Sequence, residues 1–176
     1  MGRLTPRIEI DLGKVSHNAK SLKELYGSKG IDLIGVTKAV CGDPDIANTL
    51  VKSGIDILAD SRISNIKRMR NAGVKAQFLL LRTPSLSQTE EVVKYADISL
   101  NTELSVIRRL SRFAIENKSR HKIILMLELG DLREGLMPFD LDFTIKKILP
   151  LKWIELVGLG TNLACFGGIE QDKDKM

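Results

Sequence analysis

The stretch Ile34-Gly35-Val36-Thr37-Lys38-Ala39-Val40-Cys41-Gly42-Asp43-Pro44 condenses one architectural unit. It reads as a short buried strand, a lysine at its end, a tight glycine turn, and a helix opened by Asp43 as N-cap with Pro44 in the first helical position. If Ile34, Val36 and Lys38 share one face of a period-2 strand, the amine emerges where that face meets the next loop, among apolar neighbours. Desolvation disfavours an ammonium, and a neutral amine attacks a carbonyl to form a Schiff base. The competing reading is structural: a lysine stem snorkelling off a strand end, or an ion pair with a carboxylate.

Working outward, the same unit recurs. Residues 7–12 alternate Ile8, Ile10 and Leu12 against Arg7, Glu9 and Asp11, which is strand periodicity. Asp11 then caps a helix with Val15, Ala19, Leu22 and Leu25 inward, ended by Gly27 and Gly30. The helix from Pro44 turns Ile46, Ala47, Leu50 and Val51 inward and stops at Gly54. Further strands are expected at 55–59, 77–81, 98–100, 122–129 and 156–161, with helices between them. Ser87-Gln88-Thr89-Glu90 has the pattern of a capping box, and Pro150 halts a last helix over 140–149.

Strands separated by single helices imply right-handed crossovers and a parallel sheet. Two architectures share that grammar, an open doubly wound sheet and a (β/α)8 barrel. The dinucleotide fingerprint Gly-x-Gly-x-x-Gly is missing after the first strand, and the regular repeat favours the barrel. The chain of 176 residues accommodates only about six βα units. The expected object is therefore the first part of a TIM-type barrel, ending in the charged tail at 170–176 before the last strands.

Composition narrows the function classes. The apolar and charged fractions suit a globular protein, and neither a signal-peptide pattern nor a membrane-length apolar run is present, so a cytoplasmic location is expected. Cys41 and Cys165 suggest no disulfide framework, and His17 and His121 belong to no local ligand cluster, so no metal is expected. A net charge of +5 raises the question of nucleic acid, with residues 67–70 and 108–112 as basic patches. Their charges alternate with apolar helix positions and lack interleaved aromatics, which is the pattern of a solvated helix face.

In a barrel, function belongs to the loops at the carboxyl ends of the strands. Lys38, Asp60, Ser61, Arg62, Arg82, Asn101, Arg133 and Asn162 fall on that rim. For Asp60, Ser61, Asn101 and Thr102 helix capping is the simpler reading. Arg133 follows the longest apolar strand, between Gly130 and Gly135, with Glu128, Asp131 and Glu134 near it in sequence. It is either a binding group or half of a structural ion pair.

Three segments, VTKAVCGDP at 36–44, LELGDLREG at 127–135 and GLGTNLACFGG at 158–168, together resemble the pyridoxal-phosphate-dependent alanine and ornithine racemases. The likeness spans essentially the whole chain and is nearest the ornithine-racemase-like branch. It implies an N-terminal (β/α)8 barrel, here residues 1–176, with a β-rich C-terminal domain lying outside this sequence. It implies pyridoxal 5'-phosphate as cofactor and an amino acid as the small-molecule substrate. Lys38 matches the lysine of the internal aldimine, which also acts as acid/base on one face of the α-carbon. Arg133 matches the arginine that donates to the cofactor's phenolic oxygen. Asn162 falls where alanine racemases carry a histidine near the pyridine ring, and Cys41-Gly42 replaces the region of a tyrosine near the phosphate.

The family's opposite-face base, a tyrosine from the partner subunit, has no match in this chain. The expected activity is amino-acid racemisation in a full-length homodimer, with the 176-residue chain incomplete and self-associating through open sheet edges. The alternative is a non-catalytic pyridoxal-phosphate carrier on the same barrel. The substrate, among ornithine, lysine, alanine and serine, is left open.

Overall fold

The computed structural model describes residues 7–130 and 132–163. Helix α1 (Leu12–Gly27) leads into strand β1 (Ile34–Val36), followed by α2 (Pro44–Lys52), β2 (Ile57–Asp60), α3 (Ile63–Asn71) and β3 (Gln77–Leu80). Then come α4 (Thr89–Tyr95), β4 (Ile98–Asn101), α5 (Leu104–Glu116), β5 (His121–Leu127), α6 (Leu141–Ile148) and β6 (Ile154–Thr161). All adjacent pairs are parallel, and the spatial order is β1-β2-β3-β4-β5-β6. A doubly wound sheet reverses direction at a switch point, whereas strictly sequential order is that of a TIM-type barrel. Six strands of that barrel are present among the described residues.

The pleat divides the apolar residues into two layers. Leu58, Phe78, Leu80, Ile123 and Leu125 face the helices, where they meet Ile66, Met69, Val92, Ile107, Leu110 and Ile148. Ala59, Leu79, Ile98, Leu100 and Met126 pack together on the opposite face, which in a closed barrel is the lumen. Burying each large side chain of the helix-facing layer contributes about 2–3 kcal/mol. That layer fixes register, because a slip of one residue would exchange the two faces.

Local signals explain most boundaries. The Asp43 carboxyl accepts from the backbone N–H groups of Asp45 (3.0 Å) and Ile46 (3.2 Å), with Pro44 at the first helical position, as expected. Asp11 caps α1 through Lys14 N–H at 3.1 Å. Two sequence expectations fail. Residues 7–11 form no strand, and Ile8 is 90 % exposed: alternation creates a strand only where a neighbouring edge accepts its hydrogen bonds and covers its apolar side. The capping box at 87–90 does not form either. A 3-10 turn over Leu86–Gln88 precedes α4, and the Ser85 hydroxyl bonds to Ser87 and to Gln88 Oε1 instead.

The basic runs are helix surface. Lys67 pairs with Glu91 (3.1 Å), Arg70 with Asp97 (2.6 Å) and Arg112 with Glu116 (2.9 Å), while Met69 and Leu110 between them are buried. No helix among the described residues is long and apolar enough to cross a membrane.

Candidate functional site

Parallel strands carry all their carboxyl ends to one edge, so Lys38, Asp60, Arg82, Asn101, Arg133 and Asn162 share the same rim. A cleft of about 200 Å3 lined by Lys23, Ile31, Asp32, Gly54 and Asp56 lies at the other edge, before β1 and β2. Concavity alone would select that edge; the barrel rule selects the rim.

The ladder of β1 ends at Val36, and Lys38 opens a 3-10 turn over Lys38–Val40 instead of closing the strand. Its side chain is exposed, contrary to the expected apolar setting. The physical reason is visible in Ile34 and Val36, which stand on the lumen side of an edge strand and are themselves exposed. The backbone beneath the amine is, by contrast, tightly held. The Thr37 carbonyl accepts from Val40 N (3.1 Å) and Gly42 N (3.2 Å), and Cys41 N donates to the Lys38 carbonyl at 3.2 Å. Gly42 has φ +62°, and a Cβ there would lie 2.8 Å from Asn65 Cβ, so only glycine lets the turn rest on α3.

Asp60 is fully buried and does more than cap. Its Oδ1 accepts from Arg62 N (2.9 Å) and Asn65 Nδ2 (3.0 Å), the expected helix-start role, while Oδ2 accepts the Thr37 hydroxyl at 2.9 Å. Thr37 and Asn65 were not legible as site residues; the one available signal was a threonine directly before the lysine.

Arg133 is exposed in the loop after β5. That loop folds back so that Glu128 N donates to Leu136 O (2.9 Å) and Leu136 N to Met126 O (2.8 Å), forming a bridge beside the strand end. Glu128 Oε1 accepts from Gly130 N (2.5 Å) and Leu132 N (3.1 Å), so it shapes the loop from within. Asp131 lies outside the described residues. Asn162 follows β6 and is half-buried; residues 164–176, including Cys165 and the glycines at 167 and 168, lie outside the described residues.

Asn101 and Thr102 do not cap α5. Asn101 Nδ2 donates to Ser99 O (2.9 Å) and Ser99 Oγ (2.8 Å), and Thr102 bonds to Thr83 at 3.2 Å; the N-cap is Glu103, without a side-chain bond. Asn101 points back along β4 because its strand position faces the helices. Ser99 in turn bonds His121 Nε2 at 2.8 Å, so a buried polar chain runs through the helix-facing layer behind the rim.

A parallel, sequentially ordered β/α sheet with a lysine at the carboxyl end of β1 defines the class: the barrel-type α/β proteins. The family model described as alanine racemase, N-terminal domain, matches residues 10–176, and the chain belongs to that family. It is 39% identical over 170 residues to a lysine racemase of Thermotoga maritima, covering 97% of this chain and 47% of that protein. It is 40% identical over 172 residues to an ornithine racemase of Acetoanaerobium sticklandii, covering 97% and 48%. The chain thus spans about half the length of the relatives it matches. Among solved structures, an alanine racemase of Clostridium difficile 630 in complex with cycloserine superposes with a TM-score of 0.75 at 23% identity, covering 87% of this chain and 42% of that one, which establishes the common fold.

Proposed function

We propose that this chain is the cofactor-lysine half of a pyridoxal-phosphate-dependent amino-acid racemase, acting on a basic amino acid such as lysine or ornithine. The observation that carries this reading is Lys38: an exposed primary amine on the barrel rim, standing on a turn whose backbone is fixed from both sides. The donor set fits the group. A primary amine condenses with an aldehyde, and Arg133 offers a guanidinium suited to an aryl oxygen. β1 and β5 are four strands apart, which in an eight-stranded barrel places them on opposite walls. Such a barrel is roughly 15 Å across between backbones, so two long side chains of about 6–7 Å reach a common ligand from either side. Asn162, carried after β6 beside that second wall, contributes a neutral polar contact that does not titrate.

Pyridoxal phosphate, when bound, supplies a conjugated ring that delocalises the electron pair left as the substrate α-proton departs. Lys38 would hold that proton on its side of the α-carbon, and Arg133 would donate to the ring oxygen. Inversion requires a second acid/base on the other face, and a partner subunit is the proposed source. The basic-substrate preference is supported by two relatives, 39% and 40% identical, whose names specify lysine and ornithine.

The test is to incubate the chain with pyridoxal 5'-phosphate, reduce with borohydride and map the labelled peptide. Label concentrated on Lys38 is expected; label elsewhere, or spread over surface lysines, rejects the assignment. In a full-length protein containing this chain, α-proton exchange and inversion of ornithine and lysine in D2O separate an enzyme from a carrier, which would take the label but do neither. As to assembly, β1 and β6 are both unpaired on their outer sides among the described residues, and Ile34, Val36, Val157 and Leu159 on them are exposed. Parallel edges of that kind pair with other chains. Sedimentation is expected to give a dimer or larger species, and a monodisperse monomer at micromolar concentration would refute it.

A further inference from the structure

We propose that Thr37, Asp60 and Asn65 form a clasp whose role is to position Lys38 for condensation with an aldehyde, an inference that rests on the functional reading above. A helix start needs one acceptor oxygen, and Asp60 Oδ1 already serves Arg62 N and Asn65 Nδ2. Burying the carboxyl group completely costs free energy that a solvent-facing cap would avoid. What burial adds is the second oxygen's contact with the Thr37 hydroxyl, at the end of the neighbouring strand and outside any capping duty.

Thr37 is itself fully buried and sits at φ −101°, ψ 0°, where the chain leaves the ladder. Its N–H completes the sheet on Ala59 O at 2.9 Å, and its carbonyl takes the two N–H groups, of Val40 and Gly42, that define the lysine turn. Orienting Thr37 therefore orients the Cα–Cβ vector of the next residue, Lys38. The far side of the turn is held by the same helix: Gly42 packs on Asn65, and Arg68 Nη1 donates to Cys41 O at 3.4 Å. The lysine stem remains free to sweep toward a ligand while its base is fixed on α3. Preorganising a nucleophile in this way lowers the entropic part of the condensation barrier.

The experiment compares wild type with Thr37→Val, which keeps shape and removes the hydroxyl, and Thr37→Ser, which restores the donor. Each is treated with pyridoxal 5'-phosphate and borohydride. Hydride adds to the imine carbon formed when the amine and the aldehyde condense with loss of water. Label at Lys38 is quantified against label at exposed lysines such as Lys94, below each variant's melting temperature.

Valine is expected to slow labelling of Lys38 about tenfold with Lys94 unchanged, and serine to recover it to within about twofold. A folded valine variant that labels Lys38 at the wild-type rate overturns the proposal, as does a serine variant that fails to recover. Should valine not fold, Asn65→Ala tests the other end of the clasp, with an expected loss of about threefold confined to Lys38 and a wild-type rate counting against the clasp. A wild-type chain unlabelled at Lys38 sinks the functional reading itself. In that event amide exchange at Val40 and Gly42, faster in Thr37→Val but not in Thr37→Ser, still tests the clasp, and unchanged exchange refutes it.

Discussion

Gly135→Ala is expected to destabilise the chain by about 3 kcal/mol, at the upper end of what overpacking costs. A Cβ at position 135 would fall 2.6 Å from the Leu127 carbonyl carbon and 2.7 Å from Glu128 Cα, and closer still to Glu128 N. These are backbone atoms at the end of β5, so no flexible side chain can move aside. The close approach is what lets Leu136 bond to Met126 O and receive Glu128 N, closing the loop that carries Arg133. Relief requires the returning segment to lift away, breaking both bonds. Chemical denaturation measures the loss, and amide exchange at Leu136 locates it. Unchanged stability with Leu136 still protected would show that the loop is held by something else. The effect should stay local to the Arg133 side of the rim: labelling of Lys38, in the turn after β1, is expected to persist.

How far this site could be read in advance depended on whether the decisive partner was near in sequence. Asp43 and Pro44 open α2 as their order dictates, because an N-cap acts within one helical turn. The sequential strands and the rim positions of Arg133 and Asn162 followed from the βα repeat and the barrel rule, whereas the strand expected to run to Lys38 stops at Val36. Most failures involve distant partners; the capping box at 87–90 is the local exception. Residues 7–12 alternate correctly but have no adjacent edge, and Ser87 competes with Ser85 for the local hydrogen bonds. Asp60 looked like a cap and is one; that its second oxygen reaches back 23 positions to Thr37 is a fact of sheet register, since Ala59 stands opposite Val36. The exposure of Lys38 has the same origin, for the covering of a lumen residue comes from strands across the barrel rather than from neighbours in the chain.

His121 carries the other large effect, and it is expressed in acid. The ring is 1 % exposed, bonded through Nε2 to Ser99 Oγ, and Nδ1 makes no well-formed hydrogen bond. Burial lowers its pKa from 6.5 to about 4, against the weaker pull of the Ala96 backbone and the Asp97 carboxylate toward the cation. The folded chain therefore keeps the ring neutral while the unfolded chain takes up a proton near pH 6.5. Above that pH the contribution is complete. Between pH 6.5 and 4 the unfolded state binds more protons, so stability falls with falling pH, by about 3 kcal/mol in all at about 1.4 kcal/mol per unit. Urea unfolding at pH 7, 5.5 and 4.5 is the measurement. Carboxylates also begin to titrate toward pH 4, so the effect is isolated by His121→Asn, which keeps a polar partner for Ser99 and cannot charge. The difference in stability between wild type and variant should shift by most of that amount across the interval. A wild type and a His121→Asn chain that lose stability in parallel would mean that water reaches the ring between β4 and β5, and that the helix-facing layer is looser than its packing implies.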